Sequence, residues 1–268
     1  MNVHYQPKVS CQDGRVCGVE ALVRWMHPRL GNIPPDKFIG IAEEAGLIGD
    51  LGRLVLRRSL AEIGKLIATG SDIVLGVNVS AVELEDPRFS AQALGLLHEM
   101  NFPPNKLEFE ITESVAMRDP KAVFQRIAGL RKHGIRFAID DFGAGYSNLA
   151  ILARLPVDAL KIDRSLITDV SRDVEKQTIV RITLSLAKQF GFETVAEGVE
   201  TAADLEFIAG EGATMVQGFF FSPALPYEEI AAVLQPHRLG EIAGKSPTAQ
   251  TIAAPRIAAN DRRPGRGR

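Results

Sequence analysis

Arg136-Phe137-Ala138-Ile139-Asp140-Asp141-Phe142-Gly143-Ala144-Gly145-Tyr146-Ser147-Asn148 is an apolar strand that climbs into two adjacent carboxylates and then into a loop with two glycines. Successive side chains of a strand point to opposite faces, so Asp140 and Asp141 can serve one site only if the chain turns there. Gly143 and Gly145 permit that turn. Two acids at a strand end want a cation; the competing reading is a helix N-cap following a strand. The rest of the chain decides between them.

Working outward, Val3 to Val9 reads as a strand, Asp13-Gly14 as a turn and Val16 to Trp25 as a second strand, so the first pair is expected to be antiparallel. On the second strand Gly18, Glu20, Leu22 and Arg24 share one face, which is not a plain core face because it bears both an acid and a base. Pro34-Pro35 breaks the chain, and Asp36 to Glu44 and Leu47 to Thr69 read as helices. Alternation follows: strands at Val74 to Val79, Leu107 to Ile111, Arg136 to Asp140, Ala159 to Ile162, Glu193 to Ala196 and Met215 to Gln217. Helices are expected between them at Ser90 to Met100, Pro120 to His133, from Ser147, Val174 to Phe190 and Ala202 to Ile208, with Tyr227 to Leu234 last. Eight strands alternating with helices point to an α/β fold, a TIM-like (β/α)8 barrel, with a doubly wound open sheet as the runner-up.

The hydrophobic share of 46% and charged share of 24% over 268 residues belong to an ordinary globular protein. No apolar run approaches the ~18 to 20 residues that span a bilayer, and no basic-then-apolar signal opens the chain, so the expected location is cytoplasmic with no membrane segment. Cys11 and Cys17 flank the first turn and read as free thiols rather than a disulfide. The net charge of −2 hides an asymmetry: residues 237–268 carry +5 and the remainder −7. The expected division is therefore a barrel over 1–236 and a basic, disordered tail over 237–268. An acidic body fits a site that collects cations and does not suggest a nucleic-acid polymer as partner.

In a barrel of this type the site lies at the C-terminal ends of the strands. Those ends carry Glu20 and Arg24, Asn78, Glu110 with Glu113 following, Asp140 and Asp141, Lys161 with Asp163, Glu197 with Glu200, and Gln217. Taken singly they have structural roles open to them: Glu20 could pair with Arg24, Asn78 could form a turn, Lys161 could be a surface lysine, and Glu197 or Glu200 could be a solvated charge. Together they place five carboxylates, those of Glu20, Glu110, Asp140, Asp141 and Glu197, in one concavity against one lysine and one arginine. Such crowding raises carboxyl pKa values unless cations neutralise it, and hard divalent ions bound by oxygen answer that need. The lack of a His or Cys cluster argues against zinc. Two close ions suit phosphate ester hydrolysis, with Arg24 available to hold a phosphate and Lys161 to orient the attacking water. Gly143-Ala144-Gly145 lacks the third glycine and the spaced acid of a dinucleotide loop.

These residues resemble the EAL-domain family of cyclic di-GMP phosphodiesterases. The motif stands here as Glu20-Ala21-Leu22 within Gly18 to Trp25. Collinear with it are Tyr5-Gln6-Pro7-Lys8-Val9, Val77-Asn78-Val79-Ser80, Glu110-Ile111-Thr112-Glu113-Ser114, Asp140-Asp141-Phe142-Gly143, Lys161-Ile162-Asp163-Arg164-Ser165, Ala196-Glu197-Gly198-Val199-Glu200 and Gln217-Gly218. The resemblance implies a barrel whose first strand is antiparallel to the others, and hydrolysis of cyclic di-GMP to linear pGpG with Mg²⁺ or Mn²⁺, Ca²⁺ being inhibitory. By matching position it implies Glu20, Asn78, Glu110 and Asp140 as ligands of one ion, Asp141 for a second, and Glu197 as part of the same cluster. Lys161 matches the residue that helps activate water, Glu200 and Gln217 match water-positioning groups, and Gln6, Leu22 and Arg24 match substrate contacts. Glu113 matches the acid that steadies the loop after the Asp pair, which in this family also couples to a homodimer interface. A sensor or regulatory partner is implied as well. Where the family usually has Thr and Ser, this loop has Ala144 and Asn148. A cyclic di-GMP receptor that does not hydrolyse its ligand, and a metallophosphodiesterase for another substrate, are the alternatives.

Overall fold

The computed structural model describes residues 1–144 and 152–234. The helix expected from Ser147, the loop residues Gly145 and Asn148 and the tail 237–268 lie outside the described residues.

Ten strands are described: β1 (Asn2–Ser10), β2 (Val16–His27), β3 (Gly31–Ile33), β4 (Val74–Asn78), β5 (Leu107–Thr112), β6 (Arg136–Phe142), β7 (Ala159–Ile162), β8 (Glu193–Glu197), β9 (Met215–Gln217) and β10 (Leu225–Pro226). Eight of them close a barrel in the order β1-β9-β8-β7-β6-β5-β4-β2, shut by the β1–β2 pairing. Strands β2 and β4 to β9 run parallel, while β1 is antiparallel to both of its barrel neighbours, as the hairpin reading requires. Pairing of β1 with β2 runs from Asn2↔Arg24 to Lys8↔Gly18 without a break. The described helices are α1 (Pro35–Glu44), α2 (Ile48–Ala68), α3 (Ala81–Glu85), α4 (Phe89–Glu99), α5 (Glu113–Arg118), α6 (Pro120–Arg131), α7 (Arg164–Ile167), α8 (Val174–Phe190), α9 (Ala202–Gly210) and α10 (Tyr227–Val233).

Apolar residues pack between the strands and this helical ring. In β5, Leu107, Phe109 and Ile111 are buried, and Phe109 meets Phe89 of α4 and Phe137 of β6 with ring centroids 5.3 and 5.7 Å apart. Helix α2 turns Val55, Leu56, Leu60 and Ile63 inward at the three- and four-residue spacing of one helical face. Burying a side chain of this size stabilises by about 1.5–3 kcal/mol. Strand alternation then sends the intervening residues into the barrel: Gln6 and Lys8, Gly18 and Glu20, Gly76 and Asn78, Glu108 and Glu110, Ala138 and Asp140, Lys161, Glu197 and Gln217. Branched apolar layers normally fill such an interior. Here charged, amide and small residues take most of that space, and this is what positions the site. Cys11 and Cys17 are free thiols.

Candidate active site

The site is organised around Lys161. Its side chain is 1% exposed, and its Nζ lies 2.6 Å from Glu110 Oε2, 2.8 Å from Glu197 Oε1, 3.0 Å from Asp140 Oδ1 and 3.4 Å from Glu20 Oε2. Four strands, β2, β5, β6 and β8, thus deliver carboxylates to one ammonium on β7. A neutral layer completes the ring: Asn78 Nδ2 donates to Glu20 Oε1 at 2.8 Å, and Gln217 Nε2 donates to Glu20 Oε2 at 2.7 Å and Gln6 Oε1 at 3.0 Å. Gln6 in turn donates to the Ser222 carbonyl at 3.2 Å.

The Asp pair works as the spacing required, but the turn begins earlier than the glycines. Asp141 itself takes a φ of 55° and Gly143 follows at 97°, so the chain swings over between the two acids. The Asp141 amide donates to Asp140 Oδ1 at 2.9 Å, and the register with β7 shifts between Ile139 and Phe142. As a result Asp140, Asp141 and Glu197 offer oxygens within 4.8 Å of one another, and so do Glu20, Glu110 and Asp140. Glu113, buried at the start of α5, accepts the Gly143 amide at 3.5 Å and so touches this turn.

Electrostatics divide the acids. Burial pushes Glu110 up, but the ammoniums of Lys161 and Lys8 outweigh it and hold the carboxyl at about 2. Burial, reinforced by neighbouring carboxylates and opposed by Lys161, raises Glu20 and Asp140 and takes Glu197 to about 8. Asp141 is raised by burial and by Asp163. Lys161 is held well above its usual range: burial opposes the charge, and the four carboxylates overcome it.

Arg24 does not pair with Glu20 as an ion pair; its Nη1 donates to the Val23 carbonyl at 3.0 Å, and burial lowers its pKa against the pull of Glu20. Leu22 is half-buried on the same face of β2. Glu200 is exposed, and among the described residues it forms no hydrogen bond or ion pair with the cluster. Two interior charges escaped the sequence reading. Lys8 and Glu108 are both buried and bonded to one another at 2.9 Å. Alternation with Glu110 could have found Glu108; the partner of Lys8 lies across the barrel, where no local pattern reports it.

The donor set fits hard divalent cations. It is rich in carboxylate oxygen, it carries more acid than Lys161 can neutralise, and Gln217 Oε1 is buried without a partner among the described residues. Among those residues no helix is long and apolar enough to cross a membrane.

A family model described as EAL domain matches residues 1–224. A cyclic di-GMP phosphodiesterase, PdeR, of Escherichia coli is 37% identical over 84% of this chain and 34% of its own length. A bifunctional diguanylate cyclase/cyclic di-GMP phosphodiesterase, MucR, of Pseudomonas aeruginosa is 38% identical over 86% of this chain and 34% of its own. The solved PaMucR phosphodiesterase in complex with c-di-GMP superposes with a TM-score of 0.82 at 38% identity, covering 85% of this chain and 93% of that one. The FimX EAL domain of Pseudomonas aeruginosa bound to c-di-GMP gives 0.76 at 29% identity, over 84% and 90%. The chain spans about a third of the length of the curated relatives it matches. With the motif acids gathered at one barrel mouth and this match along the barrel, the chain belongs to the EAL domain family.

Proposed function

We propose that this barrel hydrolyses cyclic di-GMP to linear pGpG with Mg²⁺ or Mn²⁺. The observation that carries the reading is the convergence of Glu20, Glu110, Asp140 and Glu197 on Lys161, with Asp141 turned onto the same oxygen cluster. Similarity to phosphodiesterases that act on this dinucleotide supports the choice of substrate.

Glu20, Asn78, Glu110 and Asp140 would hold one cation, and Asp141 with Asp140 and Glu197 the other. When bound, the pair supplies Lewis acidity for an attacking water and charge stabilisation for an in-line displacement. The protein's own groups do the rest. Lys161 donates to the attacking water and keeps it over the cluster, Glu197 is placed to take its proton, and Gln217 and Gln6 fix the flank of the site beside Glu20. Arg24, with Leu22 on the same strand and Gln6 on the neighbouring one, receives a phosphate and the ribose edge. Water adds to phosphorus, the bond to O3′ breaks and that oxygen takes a proton from solvent, matched by the one Glu197 gives back to solvent, so the product keeps a 5′-phosphate. Glu200, exposed at the rim, is assigned to water positioning.

The same reading makes residues 1–236 the catalytic barrel and 237–268 a basic extension, places the chain in the cytoplasm, and makes it a homodimer answering to a sensor or regulatory partner. Light scattering across a range of concentrations tests the dimer. Chromatography of products from cyclic di-GMP with Mg²⁺, Mn²⁺ or Ca²⁺ tests the reaction. Appearance of pGpG with the first two, and its loss in Glu20→Ala, is expected. Normal turnover in Glu20→Ala overturns the site, and binding in chelator without turnover in saturating Mn²⁺ makes the barrel a receptor instead.

A further inference from the structure

A second buried ammonium lies one layer below the site. Lys8, on β1, is 2% exposed, and its Nζ donates to Glu110 Oε1 at 2.6 Å and Glu108 Oε1 at 2.9 Å. The other oxygen of Glu110, Oε2, faces Lys161 at 2.6 Å. One fully buried carboxylate is therefore gripped from below by Lys8 and from above by Lys161, with a separate oxygen for each. Glu108 is held in turn by Arg136, whose Nε lies 3.4 Å from Glu108 Oε2, and Arg136 also pairs with Glu193. The chain of charges thus runs from the cluster through the barrel to its opposite, solvent-facing end.

Two glycines make the room. A Cβ at Gly18 would lie 2.9 Å from the Val74 carbonyl oxygen and 3.5 Å from Lys8 Cδ. At Gly76 it would overlap Glu110 Oε1 and lie 3.0 Å from Lys8 Nζ. An interior position that only needs filling takes a branched apolar residue, and burying an ion pair costs desolvation that such a residue avoids. The space is instead shaped around the lysine and the carboxylate it holds.

We infer that Lys8 is a positioning residue for Glu110: by occupying Oε1 it turns Oε2 into the cation site, and Glu108 and Arg136 hold Lys8 in place from the far side of the barrel. The inference rests on the reading of Glu110 as a cation ligand. Lys8 touches no reacting atom and acts through Glu110. Groups that orient a ligand from behind typically change metal affinity by about 10–100-fold.

Lys8→Met alone would leave two buried carboxylates each short of one cation, Glu110 with Lys161 only and Glu108 with Arg136 only, and would report partly on folding. The double variant Lys8→Met/Glu108→Leu removes both charges and leaves an apolar layer. Thermal unfolding in chelator, Mn²⁺ affinity by isothermal titration and turnover against Mn²⁺ concentration are read together on the full chain. A near-wild-type Tm, a Mn²⁺ Kd weakened by about 10–100-fold and a matching rise in the Mn²⁺ needed for half-maximal turnover, with the dinucleotide KM unchanged, are expected. Lys8→Gln, which keeps a donor but draws it back along the side chain, is read the same way and stands in if the double variant does not fold. A Kd within about threefold of wild type in a folded variant overturns the role of Lys8 alone. Wild-type protein that binds no Mn²⁺, or a Glu20→Ala protein that binds it as well as wild type, overturns the cation site and this inference with it.

Discussion

Replacing Lys161 with methionine removes the ammonium that faces four carboxylates within 3.4 Å while keeping most of the side-chain volume. Taking one partner from a buried ion pair costs about 3–5 kcal/mol. The loss does not scale with four partners, because burial has already raised Glu20, Asp140 and Glu197 toward their neutral forms, and Glu110 keeps Lys8. At about 2–4 °C per kcal/mol for a chain of this size, Tm in chelator should fall by about 6–20 °C near pH 8. The sign of the pH dependence follows. Without the ammonium the carboxyl pKa values rise further, the folded variant binds more protons than the unfolded chain, and its stability declines as pH increases, so the gap to wild type shrinks toward about pH 5.5. Mn²⁺ should shrink it as well, since bound ligand at about 100 times Kd adds about 2.7 kcal/mol and the variant need not give up Lys161 contacts to accept it. Scanning calorimetry at two pH values, with and without Mn²⁺, measures each difference. An unchanged Tm near neutral pH, or a gap that widens on acidification, refutes the view of Lys161 as the charge on which the cluster depends.

Metal-free protein carries two opposed pH signals. Glu197, raised to about 8 from 4.5 by burial, makes stability fall as pH rises through that window, whereas Glu110, held at about 2, contributes stability that is present above 4.5 and lost as pH falls through 2. Denaturation midpoints should therefore decline on both sides of the weakly acidic range, and a curve that climbs from pH 4.5 to 8 would sink the assignment for Glu197. Gly218→Ala would drive a Cβ into the backbone of Val199, whose N–H donates to the Gln217 carbonyl at 3.1 Å and whose oxygen accepts from the Phe220 amide at 3.0 Å. Overpacking plus loss of one such bond predicts about 2–4 kcal/mol of destabilisation, and a urea midpoint equal to wild type would contradict it.

Much of this was legible in order along the chain. Each barrel strand reads as a short β-rich run closed by a polar residue, because the outer face meets helices while the inner face meets the site. The antiparallel first hairpin follows from Asp13-Gly14 alone. Boundaries slipped where tertiary contacts extend an element: β6 runs on to Phe142 because Phe142 re-pairs with Ile162 after the Asp141 turn. The β3 arm at Gly31–Ile33 pairs back on β2, and α3, α5 and α7 are each six residues or fewer, too short to set up a helical period. At the site, residue types and strand-end positions were visible, but partners were not. Glu20 takes Asn78 and Gln217 rather than Arg24, and Lys8 reaches Glu108 and Glu110, 100 and 102 positions away, matches that only barrel closure creates.

The reversal of β1 has a mechanical consequence. In an all-parallel barrel the first strand starts at the floor, away from the chemistry. Here Asn2 sits opposite Arg24, at the mouth. Any polypeptide joined ahead of Met1 has its junction on the face where the acid cluster opens. A pull or twist at that junction runs down a nine-residue lever that carries Gln6 and then Lys8, so the strand that receives the load also holds two of the groups bonded to the acid cluster and its amide flank.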